Sequence, residues 1–127
     1  MDKENKIILA VTVVVIIGII AFIFAKNTDN IVSNKYDEFA KCITEKEAVM
    51  YGAESCSHCK AQKAVLGDSF KYINYIECPD NINFCLERGI EGYPTWLIGT
   101  STKIEGFDKN TTMQEISDAT SCPLPKQ

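Results

Sequence analysis

The sequence Cys56-Ser57-His58-Cys59 places two thiols two residues apart, and Gly92-Tyr93-Pro94-Thr95 follows later in the chain. What flanks the pair constrains the fold. Ala48-Val49-Met50-Tyr51-Gly52 reads as a short buried strand, and Lys60 to Leu66 as the first turns of a helix. Cys56 therefore falls at a helix N-terminus, where unpaired N–H groups and the helix dipole favour an anion. A thiolate is such an anion, and placement of this kind lowers a cysteine pKa into a range of roughly 3.5–7.5. A pair so placed can exchange a disulfide with a partner.

Ile7 to Ala25 carries no charge, and these nineteen residues would rise about 28 Å as a helix, enough to cross a hydrocarbon core. A cleaved signal peptide is the rival reading. Its apolar core runs only about 7–15 residues and ends in a small-x-small site, whereas here Ile23 is too large for the first small position before Ala25. The expectation is an uncleaved anchor at 7–25. Residues 1–6 form a cytoplasmic N-terminus, 26–34 a polar linker, 35–122 one folded domain, and 123–127 a tail. Lys3 and Lys6 precede the span and Lys26 and Lys35 follow it, so the positive-inside count nearly ties. The free amine and the six cysteines, which suit an oxidising compartment, put the domain on the extracytoplasmic side of the cell membrane. A net charge of −4 without a basic cluster argues against nucleic acid as a partner.

Within the domain, Ser33 is expected to cap a helix from Asn34 to about Thr44, with Tyr36, Phe39, Ala40 and Ile43 on its apolar face. Strands follow at 48–52, 72–77, 95–98 and 102–106. A helix follows the cysteine pair, another runs over 81–88 with Asp80 as cap and Gly89 as stop, and Thr111 caps a last one over 112–120. The order α-β-α-β-α-β-β-α predicts an α/β domain, a mixed four-stranded sheet flanked by helices on both faces, preceded by one transmembrane helix.

The CxxC at a strand-to-helix turn and the Tyr-Pro-Thr leading into the third strand resemble the thioredoxin superfamily, over about residues 35–120. Met50-Tyr51-Gly52-Ala53, the cysteine pair, Gln62-Lys63, Tyr75-Ile76-Glu77-Cys78 and Gly92-Tyr93-Pro94-Thr95-Trp96 are similar to the thioredoxin-like domain that partners homologues of vitamin K epoxide reductase. That resemblance implies a protein-disulfide oxidant without a bound cofactor. Its partners are then substrate proteins with free thiols and a membrane enzyme that passes the electrons to a quinone.

Cys56 is the expected nucleophile and Cys59 the resolving thiol. His58, the only histidine, can place a positive charge beside the Cys56 thiolate and so raise the oxidising potential. The resemblance makes Pro94 a cis-proline that sets the Tyr93 backbone beside Cys56 for an extended substrate peptide, with Tyr93 partly exposed and Trp96 in the core. The chain departs from ordinary thioredoxins at Met50, where those carry a buried acid for proton handling, and at Ser55, where they carry tryptophan. Glu54 or water is the candidate replacement for the acid.

Cys42, Cys78, Cys85 and Cys122 remain, and six cysteines allow fifteen pairings. The resemblance implies a Cys78–Cys85 bridge and, with it, Cys42–Cys122. A relay passing electrons to Cys56–Cys59 is the competing role for either pair. Two further alternatives stand: an extracytoplasmic disulfide reductase, and a metal module built from Cys56, Cys59, Cys78 and Cys85, although the Cys78–Cys85 spacing is long for structural zinc. No metal is expected.

Overall fold

The computed structural model describes residues 2–26 and 34–126. The linker expected at 26–34 falls almost wholly outside the described residues, and the Ser33 cap lies outside them. The chain divides into two compact units, Met1–Val32 and Ser33–Gln127. In the first, helix α1 spans Lys3–Lys26. Among the described residues it is the one helix long and apolar enough to cross a membrane.

The second unit contains α2 (Asp37–Glu45), β1 (Ala48–Gly52), α3 (Ser57–Leu66), β2 (Asn74–Glu77), α4 (Ile82–Glu87), β3 (Thr95–Ile98), β4 (Thr102–Glu105) and α5 (Thr112–Thr120). The sheet order is β2-β1-β3-β4, with β1 parallel to β2 and antiparallel to β3, and β3 antiparallel to β4. It is a mixed four-stranded sheet with flanking helices, as the order of elements predicts. Because side chains alternate across a strand, β1 serves two cores. Ala48 and Met50 pair in register with Ile98 and Trp96. They pack with Phe39, Ala40 and Ile43 of α2, Cys59 and Leu66 of α3, and Met113 and Ile116 of α5. On the other face Tyr51 joins Cys78, Cys85 and Ile90, edged by Val49, Ile76 and Leu97.

Several boundaries differ from the sequence reading, each for a local reason. Helix α2 starts at Asp37, later than expected, because the buried Asp37 carboxylate accepts hydrogen bonds from the Asn34 N–H (3.2 Å) and the Ser69 hydroxyl (2.7 Å). Strand β2 begins at Asn74 because Gly67–Tyr72 winds into a 3₁₀ helix after Gly67 turns the chain at φ +55°. Asp80 is not a cap: it lies in the 3₁₀ turn Cys78–Asp80, and Asn81 at the start of α4 donates back to the Glu77 carbonyl (2.8 Å). Thr111 does not cap α5 through its side chain either. The Asp108 carboxylate instead gathers the turn before α5, accepting from the N–H groups of Asn110 (2.8 Å) and Thr111 (3.0 Å) and drawing in the Thr111 side chain. Strand β4 stops at Glu105, where Gly106 takes φ +78° and its N–H bonds to the Pro94 carbonyl at 2.7 Å.

Candidate active site

The chain leaves β1 through Gly52 and turns at Ala53, whose carbonyl accepts from the Cys56 N–H at 3.0 Å. Cys56 then takes the N-cap position of α3 with an extended backbone (φ −79°, ψ 119°). Its sulfur accepts the Cys59 N–H at 3.3 Å, one of the donors that a helix start leaves unpaired. Its thiol points to the Tyr93 carbonyl at 3.6 Å. Tyr93 precedes Pro94 through a cis peptide bond. Two anchors hold that loop: the Gly106 bond to the Pro94 carbonyl, and the Thr95 hydroxyl donating to the Gly92 carbonyl at 2.8 Å. The fold thus brings Cys56, Cys59, Tyr93 and Pro94 together across two loops.

Cys56 is half-buried, Cys59 is fully buried, and both are free thiols. Burial pushes the Cys59 thiol from 9.0 up to about 11, and its bond to Cys56 adds to this; the Ala53 backbone and the Lys63 ammonium pull the other way. The proton on Cys59 is therefore held tightly, and exchange that uses Cys59 has to move it. His58 is exposed on the first turn of α3. Tyr93 is 40% exposed and Trp96 is buried.

The other four cysteines are bridged. Cys42–Cys122 (S–S 2.02 Å) joins α2 to the chain just beyond α5, and Cys78–Cys85 (2.05 Å) joins the end of β2 to α4. With Cys78 and Cys85 joined to each other, the four-thiolate metal set is not assembled. Among the described residues no group of three or more His, Cys, Asp or Glu is placed to hold a metal.

Residues for which the sequence suggested no role also reach the site. Tyr75 of β2 donates its hydroxyl to Glu77 Oε2 at 2.6 Å, and Glu77 Oε1 accepts the Glu54 N–H at 2.8 Å. Lys63 of α3 sits over the Tyr75 ring at 3.9 Å. Met50, in the position of the expected acid, is buried in the core, and Glu54 contributes its backbone N–H while its side chain is exposed. The signal for Tyr75 and Glu77 was their i, i+2 spacing on one strand, which puts both on one face.

No family model matches the chain. A stretch of 68 residues is 43% identical to the thiol-disulfide oxidoreductase LTO1 of Arabidopsis thaliana; it covers 46% of this chain and 18% of that protein.

Proposed function

We propose that this chain is a membrane-anchored thiol-disulfide oxidoreductase of thioredoxin-like fold that oxidises the thiols of secreted proteins. The observation that carries the proposal is Cys56 at the start of α3, with one backbone N–H 3.3 Å from its sulfur and the Tyr93 carbonyl 3.6 Å away beside cis-Pro94. The similarity to the plant thiol-disulfide oxidoreductase supports the same chemistry.

In the oxidising direction a substrate thiolate attacks Cys56 of the Cys56–Cys59 disulfide and forms a mixed disulfide, while Cys59 leaves with the electron pair of the broken bond. A second substrate thiolate attacks the substrate sulfur and releases Cys56, so the substrate gains a disulfide and the pair is left reduced. The Tyr93 backbone offers an extended substrate peptide a strand-like hydrogen-bonding edge next to the reacting sulfur. Helix α1 is the anchor, and the second unit lies on the extracytoplasmic side. A quinone-linked, vitamin K epoxide reductase-like membrane protein reoxidises the pair, and tethering raises the effective concentration near such a partner.

The deciding measurement is the redox potential of Cys56–Cys59 in the detergent-solubilised chain, by glutathione equilibration and mass spectrometry of alkylated thiols. A value above roughly −200 mV supports disulfide donation, and one near −270 mV or below makes the chain a reductase instead.

A further inference from the structure

Cys59 is fully buried and has to lose or gain a proton each time the cysteine pair opens or closes, yet Met50 of β1, in the same core cluster, carries no ionisable group. The group that reaches Cys59 comes from the neighbouring strand. In the parallel pairing of β1 with β2, Met50 lies opposite Tyr75 and Gly52 opposite Glu77. A Cβ on Gly52 would meet Cys59 Sγ at 3.0 Å, Tyr75 Cε2 at 3.0 Å and the Tyr75 oxygen at 3.1 Å. The sulfur and the phenol oxygen therefore both border the space a Gly52 side chain would fill, 3.0 and 3.1 Å from one point and so at most about 6 Å apart, a span that one bridging water can close. The Tyr75 ring is held from two sides, edge-to-face against Phe70 (5.6 Å) and under the Lys63 ammonium (3.9 Å). Its hydroxyl proton is committed to Glu77 at 2.6 Å, which leaves the oxygen lone pairs as acceptors. Glu77 is half-buried and so keeps contact with solvent.

We propose that Tyr75 and Glu77 form the proton path of Cys59, connecting the buried sulfur to water across the Gly52 gap. This rests on the disulfide-exchange reading above and specifies how its buried thiol is served. When the Cys56–Cys59 bond breaks, Cys59 takes the electron pair and leaves as a thiolate. Glu77, ionised at rest, first takes a proton from water and passes it to the Tyr75 oxygen, while the Tyr75 hydroxyl gives its own proton to Cys59. When Cys59 attacks a mixed disulfide at Cys56, its proton leaves by the same route in reverse. One proton is exchanged with water, and neither Tyr75 nor Glu77 changes oxidation state.

The electrostatics agree with a relay. Burial and the Glu77 carboxylate hold the Tyr75 hydroxyl well above its ordinary value, and the Tyr75 and Glu54 N–H bonds hold Glu77 below its own. The charged and titratable groups facing Cys59 and its relay are Cys56 and Lys63 from α3, Tyr75 and Glu77 from β2, and Glu54 from the loop. Ionised Glu77 is thus the acceptor at neutral pH, and Lys63 offsets negative charge along the path.

The test uses the full chain in detergent. Mixing the reduced chain with oxidised glutathione loads Cys56 with glutathione, and the subsequent release of glutathione reports attack by Cys59. Tyr75→Phe and Glu77→Gln should slow that release by roughly a hundredfold at pH 7. In both variants the rate should climb about tenfold per pH unit, because only the scarce free thiolate then reacts, whereas the unsubstituted chain keeps a shallow profile. Glu77→Asp should recover most of the rate. Alkylation of Cys56 by iodoacetamide, which makes no demand on the Cys59 proton, should be unchanged. The proposal is overturned if release and its pH profile match the unsubstituted chain, or if Cys56 alkylation falls in parallel with release. An unsubstituted chain that never releases glutathione would instead refute disulfide exchange, and the relay with it.

Discussion

The start of α3 and the corner where α2 meets the end of α5 each hold a pair of cysteines, and they differ in what surrounds the sulfur. At the corner, Cys42 sits in the body of α2, Cys122 is fully buried, and the two are bridged. The chain around Cys122 is tied down as well: the Ser117 hydroxyl donates to its carbonyl at 2.6 Å, and its N–H bonds to the Thr120 hydroxyl. At the start of α3 both sulfurs are free, a backbone N–H points at one of them, and that one reaches the surface. A cysteine in a helix body or a buried turn behaves as a small apolar group that can staple two elements. A cysteine at a helix start sits among unpaired donors and open space, where its sulfur can react.

The contrast breaks most completely at Cys56. Replacing it with serine should abolish disulfide exchange altogether, and Cys59→Ser should accumulate a mixed disulfide with substrate, both visible as mass shifts under non-reducing conditions. At the corner the consequence should be stability without loss of chemistry. The Cys42–Cys122 bridge spans 80 positions and the Cys78–Cys85 bridge only 7. In the chain-entropy view, removing the first costs up to about 4.5 kcal/mol and removing the second up to about 2.5 kcal/mol. Urea unfolding of the two double-alanine variants should rank them in that order, with exchange per folded molecule unchanged. If either pair were a relay, its removal would stop turnover with the proposed membrane partner while leaving the stability ranking intact.

His58→Pro sharpens the contrast on the reactive side. It should lower the potential of the pair by about 30 mV, a tenfold change in the equilibrium with glutathione. No shift would remove His58 from the chemistry. The smallest effect concerns pH. Because burial raises the Cys59 pKa from 9.0 to about 11, the folded reduced chain favours the thiol. Its contribution to stability is present below pH about 9 and is lost as the pH rises toward 11. Urea midpoints at pH 8 and pH 10.5 should therefore differ less in Cys59→Ala than in the unsubstituted reduced chain.

Strand β3 over 95–98 and helix α5 over 112–120 match the residues expected for them, because each is delimited by strong local signals: Pro94 and Gly99 for the strand, Thr111 before the helix and Pro123 beyond it. The start of α2 and the 3₁₀ helix over Gly67–Tyr72 were not legible. Asp37 settles the former through Ser69, thirty-two positions away, a contact that no nearby residue announces. The cysteine pair and the Tyr93-Pro94 turn stood out as motifs. Tyr75 and Glu77 stood in a stretch that carries the resemblance, but a role at the cysteine pair was not legible until Gly52 is set opposite Glu77.

The sequence by itself determined what depends on neighbours along the chain: an uncharged helical run long enough for a bilayer, a cysteine at the first turn of a helix, and a short buried strand before it. Periodicity and helix-end polarity act over a few residues, so they can be read directly. Only the tertiary structure decided which sulfurs are joined, that the Tyr93 carbonyl stands 3.6 Å from Cys56, and that a phenol oxygen and a buried sulfur both border the space beside one glycine. Those arrangements follow from the strand order β2-β1-β3-β4, which brings together segments far apart in the chain and is set by burial of both sheet faces at once.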